Sequence, residues 1–309
     1  ELAELRQATS HTCAAHVAVA RALHPGGHER TLAALFEAVL AARDCVTGYA
    51  TILSQEGEIL HNHSHGNVLR DGALLLVDGG AEVPSGYGAD VTRTWPVGGV
   101  FVGRQRAAYE AVLAAENAAI DRCRPGVWFR EVHDAASLEI ARFLKDEGLL
   151  RISAEDALET GAHALFFPHG VGHLLGLDVH DLENFGDLPS YPPGMARPEQ
   201  FGTRNLRLNL QLEPGWVVTV EPGFYVVPAI LSDADLQRRF AAQVDFARAA
   251  DWIGFGGIRI EDDIAITAAA PENLTAAIPR SVTEIEALVG SGTPAEALFG
   301  GQAQVDRAH

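Results

Sequence analysis

The chain has 309 residues, 47% of them apolar, enough to bury a sizeable core in one large domain or two modest ones. Acidic residues outnumber basic ones by 41 to 23, a formal charge of −18 that argues against nucleic acid or anionic membrane as partner. No apolar run approaches the roughly 20 residues of a spanning helix and no signal-peptide pattern opens the chain. Three unspaced cysteines, Cys13, Cys45 and Cys123, point to reduced thiols in a cytoplasmic protein.

Residue 1 is not methionine, so a missing N-terminal segment is expected. Residues 1–24 keep helical spacing until Pro25-Gly26-Gly27 stops them, and His28 to Arg43 reads as a second helix. Tyr49 to Leu60 changes period and predicts a β-hairpin turning at Gly57. Of the histidines that follow, His61 is the pocket candidate, while His63 and His65 read as a polar loop.

Ala73 to Val77 is a continuous apolar run, as expected of a strand buried on both faces, and it ends in Asp78. Asp90 follows after the turn Pro84-Ser85-Gly86, so the two aspartates can sit on adjacent antiparallel strands. A carboxylate at the end of a buried strand needs a cation or a shifted pKa. Arg93 and a metal ion are the two candidate partners. Helices are expected over 103–124 and from about 129 to 147, with no linker or low-complexity tract between them.

His169, His173 and His180 recur at intervals of four and seven among glycines, framed by Phe166-Phe167 and Leu174-Leu175, a setting that predicts burial. A Pro- and Gly-rich loop over 181–204 follows. Trp216 to Val220 is another strand ending in a carboxylate, Glu221. After a polar insertion over 229–253, the β-rich stretch 256–266 carries Glu261, and 281–289 reads as a closing helix. Four buried anions would repel strongly without cations, and carboxylates with one imidazole suit Mn²⁺, Co²⁺ or Zn²⁺.

The segment around Asp78 and Asp90 ending Asp90-Val91-Thr92-Arg93-Thr94, the block His169 to Asp181, Thr219-Val220-Glu221-Pro222-Gly223, and Ile258-Arg259-Ile260-Glu261-Asp262 together resemble the pita-bread metallopeptidases. That family includes methionine aminopeptidase, aminopeptidase P and prolidase, and the similarity runs from about residue 2 to residue 289. It implies an α+β fold, a curved and mostly antiparallel sheet covered by helices, here as one catalytic domain over 1–309 with the usual N-terminal domain absent or removed. The interval from Asp78 to Asp90 is one residue longer than the family pattern expects.

The resemblance implies two divalent ions, Mn²⁺ by preference. Asp78 would hold one, His173 and Glu221 the other, and Asp90 and Glu261 would bridge. It also implies that His61, His169 and His180 line the substrate pocket. Leu175 to Asp181 and Ala277 to Glu286 look like the proline-peptide branch, closest to prolidase, the Xaa-Pro dipeptidase. Arg207 then stands where an arginine grips the free carboxylate of a dipeptide, and Arg259 supports the site or the substrate. A water activated by two metals would attack the carbonyl, with Glu221 moving the proton and His180 stabilising the oxyanion. The expected partner is a small peptide with proline second, bound by a homodimer. The rivals are aminopeptidase P acting on longer Xaa-Pro-Yaa peptides, a non-catalytic peptide-binding relative, and a creatinase-like amidinohydrolase.

Overall fold

The computed structural model describes residues 1–300. Its first four elements are α1 (Leu2–Ala22), α2 (Glu29–Ala41), β1 (Val46–Thr47) and β2 (Ile52–Ser54). Next come β3 (Leu74–Asp78), β4 (Ala81–Glu82), β5 (Thr92–Pro96), α3 (Arg104–Ile120), α4 (Phe129–Asp146) and α5 (Ala154–Thr160). Beyond a long loop lie β6 (Val217–Val220), β7 (Gly223–Tyr225), α6 (Pro228–Ser232), α7 (Ala234–Phe240) and α8 (Phe246–Ala250). The chain closes with β8 (Gly257–Arg259), β9 (Asp262–Ala265), β10 (Glu272–Asn273), α9 (Val282–Leu288) and α10 (Ala295–Leu298). The expected helices thus form, shortened by a few residues at their ends, where caps and turns take over. Residues 301–309 of the expected domain lie outside the described residues.

Every strand pairing among the described residues is antiparallel. β3 sits between β2 and β5, which explains its unbroken apolar run: all five of its residues are buried. The segments 217–225 and 257–265 run alongside each other and break in the middle. β6 pairs with β9 and β7 with β8, and Pro222, lacking an N–H, lies at the break. Glu221 and Glu261 occupy that interruption, where the ladder no longer claims every backbone group.

The helix pairs α1–α2 and α3–α4 pack against these strands, α2 on β2 and α3 on β6, β7 and β8. A continuous core containing Phe36, Trp95, Phe166, Phe167, Phe224 and Trp252 joins helices to sheet. No described helix is long and apolar enough to cross a membrane.

The hairpin expected over Tyr49 to Leu60 does not form. Only Ile52–Ser54 is a strand, and its partner is β3. Gln55 instead turns its backbone N–H to Glu29 Oε1 at 2.7 Å, and Ser54 Oγ accepts the N–H of Glu56 at 3.0 Å. Polar side chains thereby satisfy backbone groups that a second strand would have used. The polar insertion is three short helices, α6 to α8.

Candidate active site

Asp78 ends β3, opposite Thr92 of β5. Asp90 precedes β5 in a turn drawn tight at Gly80, where a Cβ would stand 1.6 Å from the carbonyl oxygen of Ala89. Only glycine allows that approach. Asp78, Asp90 and Glu261 are all buried, at 7%, 6% and 2% exposure. Glu261 is fixed through β5: its N–H donates to Thr92 O at 3.0 Å, and its Oε2 accepts from Thr92 Oγ1 at 2.6 Å.

His173 is placed by β6, its own N–H donating to Thr219 Oγ1 at 3.1 Å and its carbonyl accepting from Thr219 N at 2.9 Å. The Nδ1 of His173 lies 2.9 Å from Leu174 O, so the proton sits on Nδ1 and the lone pair on Nε2. That lone pair faces Asp90 Oδ2 at 3.4 Å and Glu221 Oε1 at 3.7 Å. Acceptors facing one another across a buried gap need a shared proton or a cation between them. Ligand atoms of Asp78, Asp90 and Glu261 lie within 4.8 Å of one another, as do those of His173, Glu221 and Glu261, and those of Asp90, His173 and His180. Glu261, Asp90 and His173 each belong to two of these groups. The residues present therefore fit a pair of divalent ions.

Electrostatics agree. Burial pushes Asp78 up to about 6 against the pull of Arg259, and Glu221 up to about 7 against His173 and Arg259. Glu261 is driven well above the carboxylate range by burial and then by Asp90 and Glu221. Asp90 is the exception: burial raises it, but hydrogen bonding and charge from His173, with Tyr49, outweigh that and hold it low. Tyr49 Oη contacts Asp78 Oδ1 at 2.6 Å and also Asp90 Oδ1. One hydroxyl proton cannot serve two carboxylates at once, so one of these contacts needs a proton on the carboxylate or a cation beside it.

These five side chains are the ones the motifs singled out, and the fold brings all of them together. A chain model for metallopeptidase family M24 matches residues 3–268.

The chain belongs to metallopeptidase family M24.

Among M24 relatives it is 34% identical over 309 residues to a human Xaa-Pro dipeptidase, covering 97% of this chain and 61% of that protein. It is 36% identical over 291 residues to a Streptomyces coelicolor Xaa-Pro aminopeptidase 2, covering 93% and 55%. Its fold matches the solved structure of aminopeptidase P from E. coli with the inhibitor Pro-Leu, at 34% identity and a TM-score of 0.76 over 93% of this chain and 58% of that one. The Pseudomonas aeruginosa aminopeptidase PepP gives 32% and 0.77 over 96% and 59%. The chain thus spans about three fifths of the length of these relatives, and its fold is the pita-bread fold of the M24 family.

Two expectations for the M24 site need correcting. Arg93 does not partner Asp78. It stands opposite Val77, one step along β5, and so points to the other face, where Nη1 donates to Glu261 O at 2.7 Å and Nη2 pairs with Asp262 at 2.6 Å. Arg259 takes the Asp78 contact, donates Nε to Thr92 Oγ1 at 2.9 Å, and donates Nη1 to Tyr225 Oη at 3.2 Å. Burial of all three histidines is the other. His173 is buried, but the side chain of His169 is 20% and that of His180 is 44% exposed. His180 lies past the turn at Leu177-Asp178, at the mouth of a cavity of about 570 Å³.

His61, His169, His180, Arg207 and Arg259 all line that cavity, and so does His63, which the sequence left to a polar loop. Tyr225 Oη, receiving from Arg259, donates to His169 Nε2 at 2.9 Å, while His169 Nδ1 donates to Gly170 O. Burial, with Arg259 nearby, lowers His169 to about 3, so its ring is neutral. Arg207 Nη1 lies 3.2 Å from His180 Nδ1. Arginine can only donate, so Nδ1 accepts and the proton of His180 sits on Nε2. Partial burial, followed by His173 and Arg207, lowers His180 to about 4. Sequence reasoning missed Tyr49, Thr92, Tyr225 and Glu183. Hydroxyls carry no charge signal, and Glu183 looks like any loop glutamate.

Proposed function

We propose that this chain hydrolyses the bond before proline in Xaa-Pro peptides, with the dipeptide as first substrate. The observation that carries the reading is the convergence of Asp78, Asp90, His173, Glu221 and Glu261 with too few cations among them. These five would hold two divalent ions, Mn²⁺ by preference and Co²⁺ or Zn²⁺ otherwise. When bound, the ions would acidify a water to a hydroxide nucleophile near neutral pH.

The chain's own groups do the rest. Glu221, the most exposed of the four carboxylates, takes the proton of the attacking water and returns it to the prolyl nitrogen. His180, protonated on Nε2, donates to the carbonyl oxygen as charge develops there. His61 and His169 wall the pocket, and neutral His169 adds no charge that would compete with the ions. Proline offers no N–H, so shape and these walls must position it. Arg207 at the mouth is the carboxylate grip of the dipeptide reading, and Arg259 supports the site through Asp78.

A second reading, removal of the first residue from longer Xaa-Pro-Yaa peptides, is favoured by one contact: Glu183 Oε2 already lies 2.5 Å from Arg207 Nη1. Metal analysis combined with turnover of Ala-Pro, Gly-Pro and Ala-Pro-Ala tests both. Turnover that disappears with chelator, in Glu221→Gln and in His180→Ala supports the assignment. Metal-replete protein inert toward all three peptides refutes it.

A further inference from the structure

We propose that Glu183 sets the choice between substrates ending in a free prolyl carboxylate and substrates that continue as an amide, by holding Arg207 before the substrate arrives. The proposal rests on the Xaa-Pro reading above and names the substrate class within it.

Glu183 is built into place. The residue before it, Leu182, has φ 63, a left-handed conformation that a leucine rarely adopts unless its surroundings demand it. That turn, continued as a 3₁₀ helix over Glu183–Phe185, carries the carboxylate toward the cavity. There Oε2 meets Arg207 Nη1 at 2.5 Å and lies 3.5 Å from His180 Nδ1. Oε1 is buried with no hydrogen-bond partner among the described residues. Arg207 is therefore half of a neutral pair, with one nitrogen shared between Glu183 and His180.

A dipeptide carboxylate reaching Arg207 meets a second anion beside the guanidinium. The attraction of one is offset by the repulsion of the other. A peptide continuing beyond proline, or a prolyl amide, brings an N–H at the corresponding position. It carries no negative charge there and so meets no such repulsion from Glu183. Glu183 thus relaxes the demand for a free C-terminus that an unpaired arginine would impose.

The test compares kcat/KM for Ala-Pro and alanyl-prolinamide in metal-replete protein, with wild type, Glu183→Gln, Arg207→Ala and the double variant. Removing the charge of Glu183 should raise the Ala-Pro to alanyl-prolinamide ratio about tenfold, since one like charge beside a half-exposed site is worth about that factor. With Arg207 replaced by alanine, the same change should shrink below about twofold, because the competition acts through the guanidinium. Glu183→Ala should move the ratio in the same direction, which guards against an effect peculiar to glutamine.

Calorimetric binding of L-proline and L-prolinamide reads the same preference without turnover, and Glu183→Gln should tighten proline relative to prolinamide by a similar factor. A ratio that stays within about twofold overturns the proposal, and so does one that falls, since Glu183 would then be orienting Arg207 for the carboxylate. If wild type cleaves neither peptide, the Xaa-Pro reading fails, and the binding ratio still decides the role of Glu183.

Discussion

Glu221→Gln tests the charge balance of the site most directly, because the side chain keeps its shape and loses only its ionisation. Burial raises the folded pKa of Glu221 from 4.5 to about 7 when no ion is present. The folded value lies above the unfolded one, so the contribution of the neutral form is complete below about 4.5 and is lost as pH climbs through about 7. A shift of that size corresponds to about 3 kcal/mol. His173, raised by Asp90 and Glu221 against the effect of burial, loses stability in the same direction and loses less of it once Glu221 is gone. Asp90, held low by His173 and Tyr49, is common to both proteins and largely cancels.

The assay is urea unfolding of chelator-treated wild type and Glu221→Gln. Between about pH 5 and about pH 8 the variant should gain about 2–3 kcal/mol relative to wild type. In a chain of 309 residues that is roughly 3–5 °C in midpoint temperature. Restoring divalent ions should reverse the trend for wild type alone, because the ions replace the protons on its carboxylate. A gap that stays constant within about 0.5 kcal/mol across that interval would show that Glu221 is not held neutral by its surroundings.

Three further outcomes follow from named contacts. In Gly172→Ala the new Cβ would lie 2.1 Å from Thr219 O, and relieving it breaks the bond from Thr219 N to His173 O. A loss of about 2–4 kcal/mol in urea unfolding is expected, and a midpoint equal to wild type would contradict it. Arg259→Lys replaces a fork that reaches Asp78, Thr92 and Tyr225 with a single nitrogen. Divalent-ion affinity measured by chelator competition should fall about 10–100-fold, and an unchanged affinity would remove Arg259 from the support of the site. Beneath the site, Arg93 and Arg280 overcome burial to hold Asp262 at about 2, whereas burial and then Asp262 drive Glu116 well above its usual range. Asp262→Asn should therefore cost about 3–5 kcal/mol at neutral pH, and Glu116→Gln, which mimics a protonated side chain, about 1 kcal/mol or less. Equal costs would refute that division of charge.

The strand from Leu74 to Asp78, its Asp78 terminus, the strand running into Glu221 and the spacing of His169, His173 and His180 were all legible before any fold was known. Each is a local pattern: an apolar run marks burial, and a carboxylate closing such a run is anomalous at once. The Tyr49 to Leu60 stretch was not legible, because Glu29, far from it along the chain, takes the N–H of Gln55. Pairing of charges was not legible either. Arg93 and Arg259 both lie near ligand carboxylates in sequence. The register of β5 turns Arg93 to the opposite face, toward Asp262, and leaves Asp78 to an arginine 181 positions away. Likewise Arg207 finds Glu183 across a loop with no periodicity to read. Sequence alone determined which residues could hold charge in a buried site. The tertiary structure decided which cation answers which anion, because a one-residue step along a strand reverses the face a side chain meets.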